Sequence, residues 1–177
     1  MTKAEKKALI KSTFRHMKSY DAVLREFENI DLHFELIISA SCFAQLKRHR
    51  MATIICQDYD PALGVTVPVA VSETGMEKHF MDVVARTEDT YNEIKKIAPL
   101  AAPYILTNSH RRRLIMKINA RELYHISRLR ADAHAQWDIR QVAQQMVDIG
   151  RREMPLTLMI AAGKDGFSAL HKSLYGN

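Results

Sequence analysis

Cysteine is nearly absent: Cys42 and Cys56 are the only two in 177 residues. They have no C-x-x-C partner, which excludes a disulfide framework, and both are expected to be reduced. Six glycines and five prolines are too few for a low-complexity or linker-rich chain. One tryptophan and 7% aromatic residues leave little surface for stacking nucleic-acid bases; with no recognisable RNA- or DNA-binding motif, a nucleic-acid partner is the weakest of the readings below. Long apolar runs are missing too, and none approaches the roughly 20 residues of a membrane helix. Met1-Thr-Lys-Ala-Glu-Lys-Lys opens a polar helix rather than a signal peptide. A soluble, cytoplasmic protein is expected.

What is present is a 47% hydrophobic content, enough for one globular domain spanning residues 1–177. The net charge of +6 favours anionic partners such as nucleotides or phosphorylated cofactors. Basic residues cluster at 47–50, at 111–113, at Arg128 with Arg130, and at Arg151 with Arg152. Each cluster taken alone also suits a solvated helix face.

Thr2 and Glu5 have capping-box spacing, and Leu9, Ile10, Phe14, Met17 and Tyr20 recur at helical intervals, so the chain is expected to open with an amphipathic helix. Leu32, Phe34, Leu36 and Ile38 alternate with His33, Glu35, Ile37 and Ser39, the period of a half-buried strand. Ser41 is placed to cap a short helix ending at Arg48-His49-Arg50, where the helix dipole favours cations. Thr53 to Ile55 suggest a brief extended piece, and Asp60-Pro61-Ala62-Leu63-Gly64 is turn chemistry. Thr74 with Glu77 is a second capping-box spacing, opening a helix through about Ile97 that Pro99 and Pro103 end. Leu114 to Ile118 read as another strand. Asn119, with Glu122 at the reciprocal position, caps the next helix, and Asp132 is placed to cap its continuation through Trp137, Val142, Met146 and Ile149. Pro155, Gly163 and Gly166 end the ordered pattern. Long helices beside two or three strands predict an α+β fold with a small antiparallel sheet.

Arg48, Arg50 and Arg130 are chemically suited to phosphate, because guanidinium binds phosphate oxygens bidentately at any working pH. His49 offers a flat ring and a hydrogen-bond donor. Cys56 lacks a neighbouring base and reads as a small buried residue rather than a nucleophile. His134 and Asp138 have the i, i+4 spacing of a helical metal pair but no third ligand, so no metal is expected.

Lys47-Arg48-His49-Arg50 together with the segment Asn119-Ala-Arg-Glu-Leu-Tyr-His-Ile-Ser-Arg-Leu-Arg-Ala-Asp-Ala-His-Ala-Gln-Trp-Asp-Ile139 resembles the flavin-dependent thymidylate synthases, over roughly residues 23 to 155. That family carries an R-H-R-x-x-S-x-N-E-x-S-x-R-Y motif and a downstream N-x-R-x-L…L-R…A-Q-W-E-I helix pair, which together hold FAD and dUMP. The resemblance implies that Arg48, His49, Arg50, Asn119 and His125 face the flavin and that Gln45 and Arg130 face the nucleotide. It implies FAD as cofactor, NADPH and methylenetetrahydrofolate as co-substrates, conversion of dUMP to dTMP without a cysteine nucleophile, and a homotetramer. Catalytic residues are not assigned.

After Thr53, which replaces the motif's first Ser, the resemblance departs. Ile55-Cys56, Asp58, Asp60 and Pro61 stand where the family has N-E-x-S-x-R-Y, and two aspartates where a phosphate is held would repel it by about 4 kcal/mol each at 4 Å and an effective dielectric of 20. Val23 and Arg25 also replace family residues. Impaired activity is one expectation. A catalytically degenerate flavin- or nucleotide-binding subunit that completes a partner's site is the second, and a nucleic-acid-binding module the third.

Overall fold

The computed structural model describes residues 1–176. Among them are seven α-helices, α1 (Lys3–Phe14), α2 (Ala40–Leu46), α3 (Val69–Glu73), α4 (Glu77–Ile97), α5 (Ala120–Arg130), α6 (Trp137–Glu153) and α7 (Lys164–Tyr175). Three strands, β1 (Asp31–Ser39), β2 (Thr53–Cys56) and β3 (Arg111–Asn119), form one antiparallel sheet in the order β1-β3-β2. The fold is α+β, as the periodicities predict. Among the described residues no helix is long and apolar enough to cross a membrane.

The chain divides into two compact units, Met1–Phe34 with Leu46–Ile54 and Ile115–Asn177, and Glu35–Gln45 with Ile55–Leu114. The first is built around Leu32, Leu46, Met116, Ile118, Leu123, Ile126, Ile139, Met146, Leu158 and Ile160, all buried. Phe14, Phe27 and Tyr124 add a ring cluster, with centroids 5.4 to 6.1 Å apart. Tyr124 donates its hydroxyl to the Thr157 carbonyl at 2.8 Å, and burial pushes its phenol well above the usual range. Gly150 lets α6 approach its neighbours, since a Cβ there would meet Leu158 Cδ1 at 2.6 Å. In the second unit Val84 and Tyr91 form the buried face of α4, beside Ala102 and the fully buried His110. His110 Nδ1 accepts from the Thr107 backbone N–H at 3.0 Å.

Thr2 and Glu5 make the reciprocal capping box that their spacing predicts. Three other capping expectations are corrected. Ser39, not Ser41, caps α2, its Oγ accepting from Cys42 N at 2.9 Å. Thr74 closes α3 instead of opening α4: its hydroxyl donates back to the Ala70 carbonyl at 2.8 Å. The α6 cap is Gln136, whose side-chain oxygen accepts from Asp138 N and Ile139 N, while Asp132 accepts from His134 N. The glycines near the end do not terminate order. Gly163 precedes α7 and Gly166 lies in its first turn, and α7 is tied to α1 by the Tyr175 hydroxyl, which donates to the Lys11 carbonyl at 2.6 Å.

Candidate functional site

Two segments of the first unit, far apart in the chain, converge on His49. It follows α2 in a turn, with 4% of its side chain exposed. β3 delivers Asn119, whose side-chain oxygen accepts from Glu122 N at 2.8 Å and starts α5. The Glu122 carboxylate does not return to the Asn119 backbone as a capping box would require. It lies 3.3 Å from His49 Nδ1, with 11% of its own side chain exposed. On the other edge of the ring, Arg130 Nε donates to His49 Nε2 at 3.2 Å. A guanidinium has no acceptor, so Nε2 is the ring's unprotonated nitrogen and Nδ1 carries the hydrogen donated to Glu122.

His125, one turn along α5 from Glu122, is exposed and sets its ring edge-on to His49, with centroids 6.0 Å apart. His49, Glu122 and His125 offer metal-ligating atoms within 4.8 Å of one another. A cation on Nδ1 would require the ring hydrogen to move to Nε2 and the Arg130 bond to break, so the ring cannot serve both. Of the pair expected from i, i+4 spacing, His134 turns to another carboxylate, its Nδ1 2.8 Å from Asp132 Oδ1.

The residues expected to face a flavin thus have different surroundings. Arg48 and Arg50 are exposed, and neither makes an ion pair among the described residues. His49 is buried between two side chains, and Asn119 is engaged as a helix cap. Of the nucleotide-facing pair, Arg130 joins His49, whereas Gln45 is a half-buried residue of α2 in the second unit. Beside the cluster, Val23, Arg121, Glu122, Tyr124, His125 and Arg128 line a cavity of about 190 Å³. Arg121 is anchored there by the Val23 carbonyl at 3.0 Å and by Glu28 at 2.9 Å. Sequence reasoning missed Glu122 as a site residue. The signal was available, since Glu122 and His125 at i, i+3 share a helix face.

In the second unit the residues around the departing motif positions are held partly by β3 and partly by local bonds. Cys56 Sγ is 3.7 Å from the Arg113 carbonyl, and burial pushes its thiol up despite the opposing pull of Arg112, which disfavours the thiolate a nucleophile needs. Asp60 caps the turn Pro61–Leu63, accepting from Ala62 N at 3.0 Å. Arg112 lies over the Tyr59 and Phe43 rings, 4.2 and 4.8 Å from their centroids, and donates to the Gln57 carbonyl at 2.9 Å.

The model of the thymidylate synthase complementing protein family matches residues 1–156, and the chain belongs to that family. It is 31% identical over 153 residues to a flavin-dependent thymidylate synthase of Halobacterium salinarum and 29% identical over 153 residues to one of Haloarcula marismortui; each match covers 68% of this chain and 62% of the relative. A UPF0159 protein of Chlamydia pneumoniae is 29% identical over 123 residues, 70% of this chain and 23% of that protein. The chain therefore spans less than two thirds of the length of these relatives.

Proposed function

We propose that this chain binds FAD and a uridine-type nucleotide, dUMP or a close relative, and that it methylates dUMP to dTMP slowly when alone. The observation that carries this reading is the contact between His49 and Arg130, 81 residues apart, which joins the two halves of the family motif in one cluster. Family membership supports it. Arg48 and Arg50, exposed and without ion pairs among the described residues, suit an anionic cofactor, and His125 presents an accessible ring edge-on to His49. Bound flavin would supply the hydride chemistry, with NADPH as reductant and methylenetetrahydrofolate as one-carbon donor. Arg130 would orient the nucleotide, and the reading carries with it a cytoplasmic homo-oligomer, a tetramer by analogy with the family.

Slow turnover follows from Cys56, Asp58 and Asp60. A carboxylate facing phosphate repels it, and each missing charge-assisted bond forfeits about 1.5 to 3 kcal/mol. Tritium release from 5-labelled dUMP, with NADPH and methylenetetrahydrofolate, tests this. The unmodified chain is expected to release little, and the triple variant Cys56→Glu, Asp58→Ser, Asp60→Arg is expected to bind dUMP more tightly and to release more. Robust release by the unmodified chain would contradict the argument. A second reading, a subunit that completes a partner's site, is favoured by the structural use of Asp60 as a cap; it predicts ligand binding with no release even in the triple variant.

A further inference from the structure

We propose that His49, Glu122 and His125 form a site for one divalent transition-metal ion of the zinc class, reached from the surface at the exposed His125. Spacing along the chain does not reveal the set, because His49 lies 73 residues before Glu122. The site rests on geometry alone; only its consequence for flavin rests on the reading above.

Two histidines and a glutamate are a ligand set that zinc takes where it keeps a fourth position open, with bonds of about 2.0 to 2.2 Å. Neighbouring ligand atoms on a tetrahedral ion of that size stand about 3.4 Å apart. His49 Nδ1 and Glu122 Oε1 are already 3.3 Å apart, and each of the three residues brings a ligand atom within 4.8 Å of the others. Closing the set therefore needs a shift of at most about 1.5 Å. The ring of His125, exposed and on the helix face of Glu122, is free to make it. The other two ligands are already ordered, with side chains 4% and 11% exposed, so binding immobilises one side chain only. Arg130 opposes the ion, since its Nε donates to His49 Nε2 at 3.2 Å. An ion on Nδ1 sends that hydrogen to solvent while Nε2 takes one up, so the ring stays neutral but turns a donor toward the guanidinium. Affinity on the order of micromolar is therefore expected, weaker than at a closed structural zinc site. On the reading above His49 and His125 face the flavin, so a loaded site and a bound flavin exclude each other.

The test titrates the untagged full chain with Zn2+ by calorimetry and with Co2+ by visible absorption. One ion per chain is expected, with the intense bands of four-coordinate Co2+. Because the chain has eight histidines, variants must locate the ion. His125→Ala, at an exposed position, and Glu122→Gln, which keeps an acceptor for the Nδ1 hydrogen, should each weaken Zn2+ by more than the roughly ten- to hundredfold that outer-shell changes cost. His134→Ala, at another histidine–carboxylate contact, should not weaken it. Arg130→Ala removes the competing donor and should tighten Zn2+ about tenfold. Loading should also move the His49 ring hydrogen from Nδ1 to Nε2 in 15N spectra. No binding of either ion, binding untouched by His125→Ala and Glu122→Gln, or a His49 ring unchanged on loading would overturn the site. Saturating Zn2+ should weaken FAD at least about tenfold. Unchanged FAD affinity in the loaded chain would overturn the exclusion; if the chain binds no FAD at all, the flavin reading falls, and the metal titrations still decide the site.

Discussion

His49, in the turn after α2, and Asp60, a few residues on, lie close together in the chain, yet their side chains are held in opposite ways. His49 is bonded to α5 at both edges of its ring, by partners 73 and 81 residues away. Asp60 bonds to Ala62, two residues on, and Asp58 is exposed. A residue with long-range buried partners is tied to the core and cannot be exchanged without disturbing it. A residue whose bonds are local can change identity while the fold persists, which is how a motif can be lost in one part and kept in another.

This contrast breaks most easily at Leu123, the fully buried residue beside Glu122 in α5. Leu123→Ala should destabilise the chain by about 2 to 5 kcal/mol, the range for emptying a packed site, and should release His49 from its partners. Chemical unfolding measures the first effect and His49 ring shifts the second. Stability unchanged within about 1 kcal/mol would mean that α5 is not anchored as described.

A smaller effect is expected at Asp132, in the same unit. The neighbouring Asp165 carboxyl, the His134 backbone N–H and the His134 ring hold its carboxyl well below the usual range. A carboxyl depressed in the folded state stabilises the fold above its unfolded pKa of about 3.9, and that contribution is lost as pH falls through the lower folded value. Asp132→Asn should therefore be less stable than wild type at pH 7, and the two should converge in acid. Parallel stability curves down to pH 2 would contradict the assignment.

The smallest effect belongs to Asp60, whose side-chain bond is local. Asp60→Ala removes one cap from a three-residue turn and should cost at most about 1 kcal/mol, with His49 ring shifts unmoved. A larger loss would mean that the departed motif is as deeply embedded as the retained one, and the comparison would fail.

The elements legible in the sequence were those with strong period and local chemistry. β1 buries Leu32, Phe34 and Ile38 in the alternation that its residues announce, and Thr2 and Asn119 cap as their positions predict. Elements with two local solutions were not legible. Thr74 can face forward into a helix or back onto one, and only the path of α3 decides. Gly163 reads as a breaker, but a Cβ there would stand 2.2 Å from the Ala131 carbonyl oxygen, so glycine is required by tertiary approach at the start of a helix. The site divides the same way. Arg48, His49, Arg50 and Arg130 were visible as motif residues, whereas the bonds of Glu122 depend on a ring 73 positions upstream that no spacing rule can supply.

The claim that the retained half of the motif still serves a flavin is tested most directly by titrating the purified chain with FAD and following flavin fluorescence. A saturable change is expected, weakened by Arg50→Ala by about 1.5 to 3 kcal/mol, roughly ten- to a hundredfold in Kd. No saturable change with wild type, or equal affinity in Arg50→Ala, would contradict it.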